Sequence, residues 1–181
     1  TGDLDAIGGT DVFVLKVNEA GTLIWAKQMG GLNDDQGKAI DTDQEGKVYT
    51  TGYFYGVADF DPGTDDLTLV SAGGWDIFIQ KLSAEGELIS VSRTGGIGVD
   101  EGNDLQIDPD GNIVTVGAFN FSADFDPGGG ITNLISKGGN DIFIRKTDYL
   151  WDFQGTVFND LNANQMQDPD EPALPNLIVE S

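Results

Sequence analysis

The sequence contains no cysteine and no histidine. These absences exclude disulfide bonds, thiol chemistry, zinc sites built from cysteine and histidine, and any mechanism that needs imidazole as a general base. The sequence also lacks a run of about 18 apolar residues, so we expect no segment that inserts into a membrane as a helix. What remains is chemistry based on oxygen-bearing side chains.

Basic residues are also scarce, with nine Lys and Arg against 31 Asp and Glu and a formal net charge of −22. A field of this sign repels nucleic acid and anionic lipid, because both bind through Lys and Arg that displace their counterions. The same field attracts cations, and bound calcium is a common way to relieve repulsion among dense carboxylates, as are high salt and solvation. We therefore expect calcium as a partner and no nucleic acid.

Glycine is abundant, with 26 residues, and hydrophobic residues make up 39% of the chain. That hydrophobic fraction is sufficient for a core. Many glycines between short apolar runs indicate many tight turns, and no stretch shows a helical period with caps. The composition therefore predicts an all-β fold.

The clearest pattern is an internal repeat. The segment GGTDVFVLK at 8–16 returns as GGWDIFIQK at 73–81 and as GGNDIFIRK at 138–146, each time after 65 residues. A gapless alignment of the first two copies gives 25 identities, too many for chance. The copies are 8–72 (the first copy), 73–137 (the second copy) and 138–147 (the partial third copy).

Each copy is predicted to contain short strands rich in β-branched and aromatic residues. A turn at Gly21 joins two of them into a hairpin, and a second turn at 43–46 supplies a glycine where a positive φ is needed. In the first copy the predicted strands are 12–17, 23–26, 38–41 and 48–54, followed by an excursion through 58–62 and 67–70. Four core strands and an inserted hairpin are typical of a propeller blade.

Residues 8–147 resemble the bacterial β-propeller repeat family that is often described as seven-bladed. The resemblance is carried by the Gly-Gly-x-Asp-x-Phe-x-x-Lys strand at 73–81, the Gly95-Gly96 step, the turn at 108–112 and the strand at 114–117. The inserted Ala-Asp-Phe-Asp-Pro-Gly excursion makes each copy longer than typical blades of about 40–50 residues.

Two copies and a fraction cannot close a ring, because propellers take about four to eight blades. The chain is therefore either a fragment of a larger propeller, which we favour, or a subunit that self-associates through open strand edges.

A loop with metal-ligand spacing follows the repeats. Counted from Asp160, oxygen-bearing side chains fall at positions 1, 3, 5, 9 and 12, and Met166 at position 7 offers its backbone carbonyl. This is the ligand spacing of an EF-hand-type loop, and hard oxygen ligands suit calcium. Gln165 stands where such a loop has glycine, and a solvated asparagine-rich turn is the alternative. The predicted calcium ligands are Asp160, Asn162, Asn164, Met166, Asp168 and Glu171.

Segment 154–181 resembles the opening of the calcium-binding B-type repeat domains of Gram-positive surface adhesins. The match is carried by Gly-Thr-Val-Phe at 155–158 and by the loop that follows. The resemblance implies the first strands of an immunoglobulin- or transthyretin-like β-sandwich that serves as a stalk. The predicted organisation is propeller-type repeats over 1–147, a linker at 148–153 and a truncated B-type domain at 154–181.

Other acidic residues recur in both copies. The pairs Asp59/Asp61 and Asp124/Asp126 each flank a phenylalanine and could hold a cation between them, but the Pro and Gly that follow favour a simple turn.

Further acidic segments have similarly simple explanations. Segment 108–112 resembles the start of a calcium loop, yet its counterpart at 43–47 contains a lysine, which favours a plain hairpin turn. The Asp34-Asp35 dipeptide and its counterpart at 100–101 are expected in solvated loops.

No pair of carboxylates stands out as catalytic, and we expect no enzyme. We expect an extracellular, calcium-binding structural or adhesive repeat module of a bacterial surface or secreted protein, itself a piece of a longer chain. Glycans or other surface proteins are the further candidate partners.

Two alternatives stay open. One is a glycan-binding or carbohydrate-processing propeller, in which Trp75 is the best exposed aromatic candidate, while Trp25 and Trp151 are assigned to core packing. The other is the subunit of an extracellular filament assembled by strand-edge pairing.

Overall fold

The computed structural model describes residues 4–64, 67–126 and 130–148, all within the first of two units, Thr1–Tyr149. Over these residues the chain forms strands and no helix, and every strand pairing is antiparallel, which confirms the all-β prediction. They therefore also contain no helix long and apolar enough to cross a membrane. The strands are β1 (Val12–Val17), β2 (Leu23–Gly31), β3 (Gln36–Thr42), β4 (Val48–Phe54), β5 (Val57–Asp59), β6 (Thr68–Val70), β7 (Asp76–Leu82), β8 (Leu88–Gly96), β9 (Glu101–Ile107), β10 (Ile113–Phe119), β11 (Ser122–Asp124), β12 (Asn133–Ile135) and β13 (Asp141–Thr147).

The β1–β2 and β7–β8 hairpins form because a polar side chain organises each connecting turn. Asn18 Oδ1 accepts hydrogen bonds from the backbone N–H groups of Ala20 and Thr22. Ser83 Oγ accepts the equivalent bonds in the second copy. Gly21 and Gly86 then take φ values of 75° and 85°, which glycine adopts without steric cost.

The sheets combine strands from consecutive copies. The longest sheet has the order β12-β11-β8-β7-β4-β3, in which β3 and β4 come from the first copy and the other strands from the second. Strand β4 pairs with β7 along its whole length, from Val48 opposite Leu82 to Phe54 opposite Asp76. Strand β10 pairs with β13 in the same way. The hydrogen-bonded sheet is therefore shifted along the chain relative to the sequence repeat.

The β5–β6 hairpin extends a neighbouring sheet. It lies in the chain between β4 and β7, yet β5 pairs with β2 to give the order β1-β2-β5-β6. The equivalent β11–β12 hairpin pairs with β8. Gly31 and Gly96 permit this close approach, because a Cβ at either position would lie only 2.1 Å from Val57 O or 1.9 Å from Ser122 O.

Phenylalanines form the centre of the core. Phe60 lies 5.3 Å from Phe54 and 4.8 Å from Phe78 between ring centroids. Phe60 and Phe125, the residues between the paired aspartates, both face the core, as their position in the pattern predicted. The equivalent cluster of the next copy is Phe119, Phe125 and Phe143.

Candidate functional site

The predicted calcium loop lies outside the residues that the structure describes. This applies to all six predicted ligands, Asp160, Asn162, Asn164, Met166, Asp168 and Glu171, to Trp151 and to the whole B-type segment 154–181. These predictions stay predictions, and the candidate site is built from the described carboxylates.

The Asp-Phe-Asp carboxylates are acceptors within a turn. Asp59 Oδ1 accepts hydrogen bonds of 3.0 Å from the N–H groups of Asp61 and Leu67, and Asp61 Oδ1 accepts one of 2.7 Å from Gly63 N–H. Asp124 makes the equivalent bonds in the second copy, and these backbone donors lower the pKa of its carboxyl. The geometry agrees with the simpler turn interpretation.

The turns at 43–47 and 108–112 are also built around an aspartate. Asp43 Oδ1 accepts from the N–H groups of Glu45 and Lys47, and Gly46 has a φ of 80°. In the second copy the equivalent residue is Asp108, and Lys146 Nζ of the partial third copy lies 2.7 Å from its Oδ2. The hydrogen bond from Lys146, followed by that from Asn112, holds the pKa of Asp108 well below its usual range. Both segments form the plain hairpin turns that the lysine indicated.

The prediction of a solvated loop at 34–35 and 100–101 is wrong for one residue of each segment. Asp35 and Asp100 are both 0% exposed. The fold tolerates the burial of each carboxylate because it accepts hydrogen bonds from backbone N–H groups of two separate segments. Asp34 is exposed and Glu101 is half-buried, so only the residues that are identical in both copies turn inward.

Asp35 forms the first buried pair with Asp11, which is 7% exposed. Asp35 Oδ2 accepts a hydrogen bond of 2.7 Å from Gly31 N–H, and its Oδ1 accepts one of 3.1 Å from Tyr55 N–H. Asp11 Oδ2 accepts bonds of 2.6 Å from Ile7 N–H and 2.8 Å from Gln28 Nε2. Together the two carboxylates tie the loop before β1 to the ends of β2 and β4.

Asp100 forms the second pair with Asp76, which is 0% exposed. Asp100 Oδ2 and Oδ1 accept from Gly96 N–H at 2.8 Å and Asn120 N–H at 3.2 Å. Asp76 Oδ2 accepts from Ala72 N–H at 3.0 Å and from Arg93 Nη1 at 2.5 Å. The same construction therefore occurs once in each complete copy.

A glycine lets the two carboxylates of each pair converge. A Cβ on Gly30 would lie 2.9 Å from Asp11 Oδ1 and 3.1 Å from Asp35 Oδ2. On Gly95 it would lie 2.8 Å from Asp76 Oδ1 and 2.9 Å from Asp100 Oδ2. A Cβ at either position would push the carboxylates aside, and the φ values of 146° and 151° also favour glycine there.

Both pairs carry an electrostatic cost. Burial, followed by the neighbouring charges of Asp11 and Asp34, raises the pKa of Asp35 to about 6, against the lowering effect of its backbone hydrogen bonds. Burial also raises the pKa of Asp100 to about 6, with a smaller contribution from Asp76. Asp11 Oδ1 and Asp76 Oδ1 are buried without a hydrogen-bond partner.

The described tryptophans have different environments. The half-buried Trp75 ring stacks on Tyr53 with centroids 4.6 Å apart and an interplanar angle of 16°, and Lys38 Nζ lies 5.0 Å from the centroid of the Tyr53 ring. Trp25 packs against the core and donates from Nε1 to Ala84 O at 3.1 Å, so its assignment to the core is confirmed.

In the described part of the chain, no group of three or more Asp, Glu, His or Cys side chains is placed to hold a metal ion. What the carboxylates do in this geometry is accept hydrogen bonds that join loops, in the same way in each copy.

Comparison with known proteins agrees with the fold. Residues 24–53 match the model of a β-propeller repeat family. A stretch of 115 residues is 23% identical to an uncharacterized WD repeat-containing protein of Acanthamoeba polyphaga mimivirus, covering 56% of this chain and 8% of that protein. The chain thus spans a small part of the length of this relative. Together with the antiparallel sheets, the matches show that the chain contains propeller-type repeats.

Proposed function

We propose that the chain is an extracellular, calcium-binding structural and adhesive module of a bacterial surface or secreted protein. In this proposal the repeats belong to a larger, seven-bladed type of propeller, and segment 154–181 begins a B-type stalk domain. The repeats present a surface to other surface proteins or to glycans. Calcium rigidifies the connection to the stalk, and the chain has no catalytic role.

The observation that carries the structural role is the use made of the buried acidic residues. The buried carboxylates join loops by accepting backbone hydrogen bonds, in the first copy through Asp11 and Asp35 and in the second through Asp76 and Asp100. The same construction recurs in each copy, as expected of a scaffold whose copies share one structural constraint.

The calcium-binding half of the proposal is supported by the ligand spacing of 160–171 and by the net charge of −22. Oxygen ligands at these positions, with Glu171 able to chelate through both oxygens, match the preference of calcium.

Isothermal titration calorimetry with calcium tests this half. We expect Asp160→Ala/Glu171→Ala to abolish the heat of the tightest site. Asp170→Ala is the matched control, because it removes a carboxylate from the same loop at a position outside the ligand set. Equal loss of heat in the control and the double variant would mean that bulk charge, not the loop, attracts the ion.

A glycan-binding function is the second candidate, favoured by the partly exposed Trp75 ring on Tyr53. Tryptophan faces commonly stack on apolar faces of rings. Trp75→Thr installs the residue that the first copy has at Thr10, so the fold should tolerate it. Loss of a glycan-array signal in this variant would support the candidate, and an unchanged signal would remove Trp75 from it.

Self-association through strand edges is a third candidate. In the described part of the chain β1 pairs only with β2, whereas its counterpart β7 pairs with both β4 and β8. Electron microscopy of the purified chain would reveal filaments with a regular axial repeat in this case. A monodisperse monomer at high concentration would argue against it.

A further inference from the structure

Two strands of the described chain expose apolar side chains that form separate faces. On β1, Phe13, Leu15 and Val17 are 41%, 63% and 55% exposed, and we call these three residues the β1 face. On β13, Ile142 and Ile144 are 85% and 76% exposed, and we call this pair the β13 face. Exposed apolar surface of this kind marks a site of interaction more often than scattered single residues do.

The equivalent strand β7 buries both of these faces. The residues equivalent to the β1 face are Phe78, Gln80 and Leu82, all of which are 0% exposed. The residues equivalent to the β13 face are Ile77 and Ile79, which are 1% and 7% exposed. Each exposed face is therefore one half of a contact that β7 makes on both of its sides.

The same apolar contact joins adjacent sheets twice within the chain. Val12 and Val14 of the sheet that contains β1 pack in one cluster with Phe78 of the sheet that contains β7. Ile77 of β7 packs in turn with Phe143 of the sheet that contains β13. In both contacts the aliphatic residue that follows the repeated aspartate of one copy meets the phenylalanine of the next copy.

The two halves of a third contact of this kind are the exposed faces themselves. The aliphatic residue of the partial third copy is Ile142, and the phenylalanine of the first copy is Phe13. The β13 face is therefore complementary to the β1 face, and neither face is complementary to itself. A contact of this type between two molecules is heterologous, so each molecule keeps one face open for a further molecule.

The charges around these faces favour the same contact. Within the chain Lys16 Nζ donates to Ala84 O at 2.7 Å, in the turn between β7 and β8. The equivalent lysine of the third copy is Lys146, and the residue equivalent to Ala84 in the turn between β1 and β2 is the exposed Glu19. The same geometry between two molecules therefore brings a lysine of one molecule to a glutamate of the other.

We propose that a second copy of this chain binds the β1 face through its β13 face, so that molecules associate head to tail by stacking their sheets. The proposal rests on the propeller-type repeats of the proposed function, because the sheets of two molecules must stack as those of one molecule do. Sheet faces form this contact, whereas backbone edges form the contact of the third candidate function. Calcium has no part in it. The contact is a single sheet face, so we expect a micromolar dissociation constant and a monomer in dilute solution.

Sedimentation velocity of the full chain between about 1 and 1,000 μM tests the association. The mean mass of the unmodified chain should rise with concentration from the monomer through the dimer to larger multiples.

Leu15→Asp places a charge in the β1 face, and Ile142→Asp places one in the β13 face. Both residues are exposed in the monomer, so both variants should fold. Each variant alone should self-associate about 100-fold more weakly or worse, because the contact would bury an unpaired charge. Ile97→Asp is the matched control, since Ile97 is 70% exposed and belongs to neither face, and it should associate like the unmodified chain.

A mixture of the two variants tests the head-to-tail geometry. Leu15→Asp retains an intact β13 face, and Ile142→Asp retains an intact β1 face. An equimolar mixture should therefore form a one-to-one dimer and nothing larger, because each free face of that dimer carries a charge. A contact between two like faces would instead leave one of the variants fully associated on its own.

Three results would overturn the proposal: an unmodified chain that stays monomeric over the whole range, association that survives either charge variant, or a mixture without the one-to-one dimer. Val14→Asp separates this outcome from failure of the proposed function. Val14 is 3% exposed within the first internal contact, so this change should lower the unfolding midpoint by about 10 °C or more. An unchanged midpoint would contradict the stacked repeats themselves, whereas a lowered midpoint without association would remove only the contact between molecules.

Discussion

Strands β1 and β7 have the same place in the repeat but opposite environments. Phe13 on β1 is 41% exposed, whereas the equivalent Phe78 is 0% exposed. Leu15 is 63% exposed, whereas the equivalent Gln80 is 0% exposed and donates from Nε2 to Phe60 O at 2.7 Å. Strand β7 lies between β4 and β8, while β1 pairs only with β2 within the described residues. Because Leu15 is exposed and the equivalent Gln80 is buried, burial at this position depends on the neighbouring strands and not on the hydrophobicity of the side chain.

The largest expected difference concerns the phenylalanines. Phe78→Ala should lower the free energy of unfolding by about 3–5 kcal/mol, because it leaves a cavity against Phe60. Phe13→Ala should cost less than about 1 kcal/mol in this chain, since its ring is largely in water. Chemical denaturation of both variants measures the difference. Similar losses would mean that β1 is covered in solution, which points to self-association.

The buried Asp100 should give the next largest effect, through pH. Because its folded pKa is raised to about 6, the folded state holds this proton more tightly than the unfolded state, whose pKa is near 3.8. Its contribution to stability is therefore greatest below pH 4 and is lost as pH rises through 6, by about 3 kcal/mol at most.

Asp100→Asn should flatten that part of the stability profile. Asp108, with its lowered pKa, supplies the opposite slope, since its stabilisation is present above the ordinary pKa and lost at lower pH. Denaturation measured from pH 2 to 7 in Asp100→Asn and Asp108→Asn separates the two, because the loss due to Asp108 falls below about pH 5 and that due to Asp100 between about pH 4 and 6. An identical slope for Asp100→Asn and the wild type would contradict the buried ionisation of Asp100.

Exchanging the residues at the equivalent positions Leu15 and Gln80 tests directly whether β1 and β7 differ in environment. Gln80→Leu, which installs the first copy's residue, should cost about 1–3 kcal/mol, because Phe60 O loses its donor in a buried site. The reverse change, Leu15→Gln, should alter stability by less than about 0.5 kcal/mol. Equal effects of the two substitutions would show that β1 and β7 share an environment after all.

The smallest expected effect has the opposite sign. Phe121 has a φ of 56° where the first copy has Gly56 at 73°, and its side chain is mainly exposed. A left-handed conformation costs a non-glycine residue about 1–2 kcal/mol, so Phe121→Gly should stabilise the chain by about 1 kcal/mol. Gly56→Ala is the control and should destabilise it, since the new Cβ would meet Asn33 Nδ2 at 2.5 Å. A loss of stability in Phe121→Gly would reveal that the ring has a partner.

The sequence was sufficient to predict the strands, because their apolar pattern and turn glycines are local and occur twice. It was not sufficient to predict the sheets. Pairing of β4 with β7 joins residues of different copies, and the attachment of β5 to β2 depends on the close approach that Gly31 allows. The alternation of apolar and polar residues within a single strand carries no information about either pairing.

The buried carboxylates were missed for a related reason. Asp34-Asp35 has the composition of a solvated loop, and only its tertiary donors bring Asp35 inside. A signal was nevertheless present, since Asp11, Asp35 and Gly30 all recur as Asp76, Asp100 and Gly95, whereas Asp34 becomes Val99. Identity between copies at charged positions marks a shared structural constraint better than charge alone.

The inserted hairpin has a mechanical consequence. Because β5–β6 leaves the sheet that contains β4 and β7 and completes the one that contains β1 and β2, a force that separates these two sheets must break hydrogen bonds on the edge of β2. That force also pulls on the covalent connections at both ends of the hairpin. An applied force therefore acts on two adjacent sheets at once. In a single-molecule stretching experiment, neighbouring sheets should unfold in one step rather than one after the other.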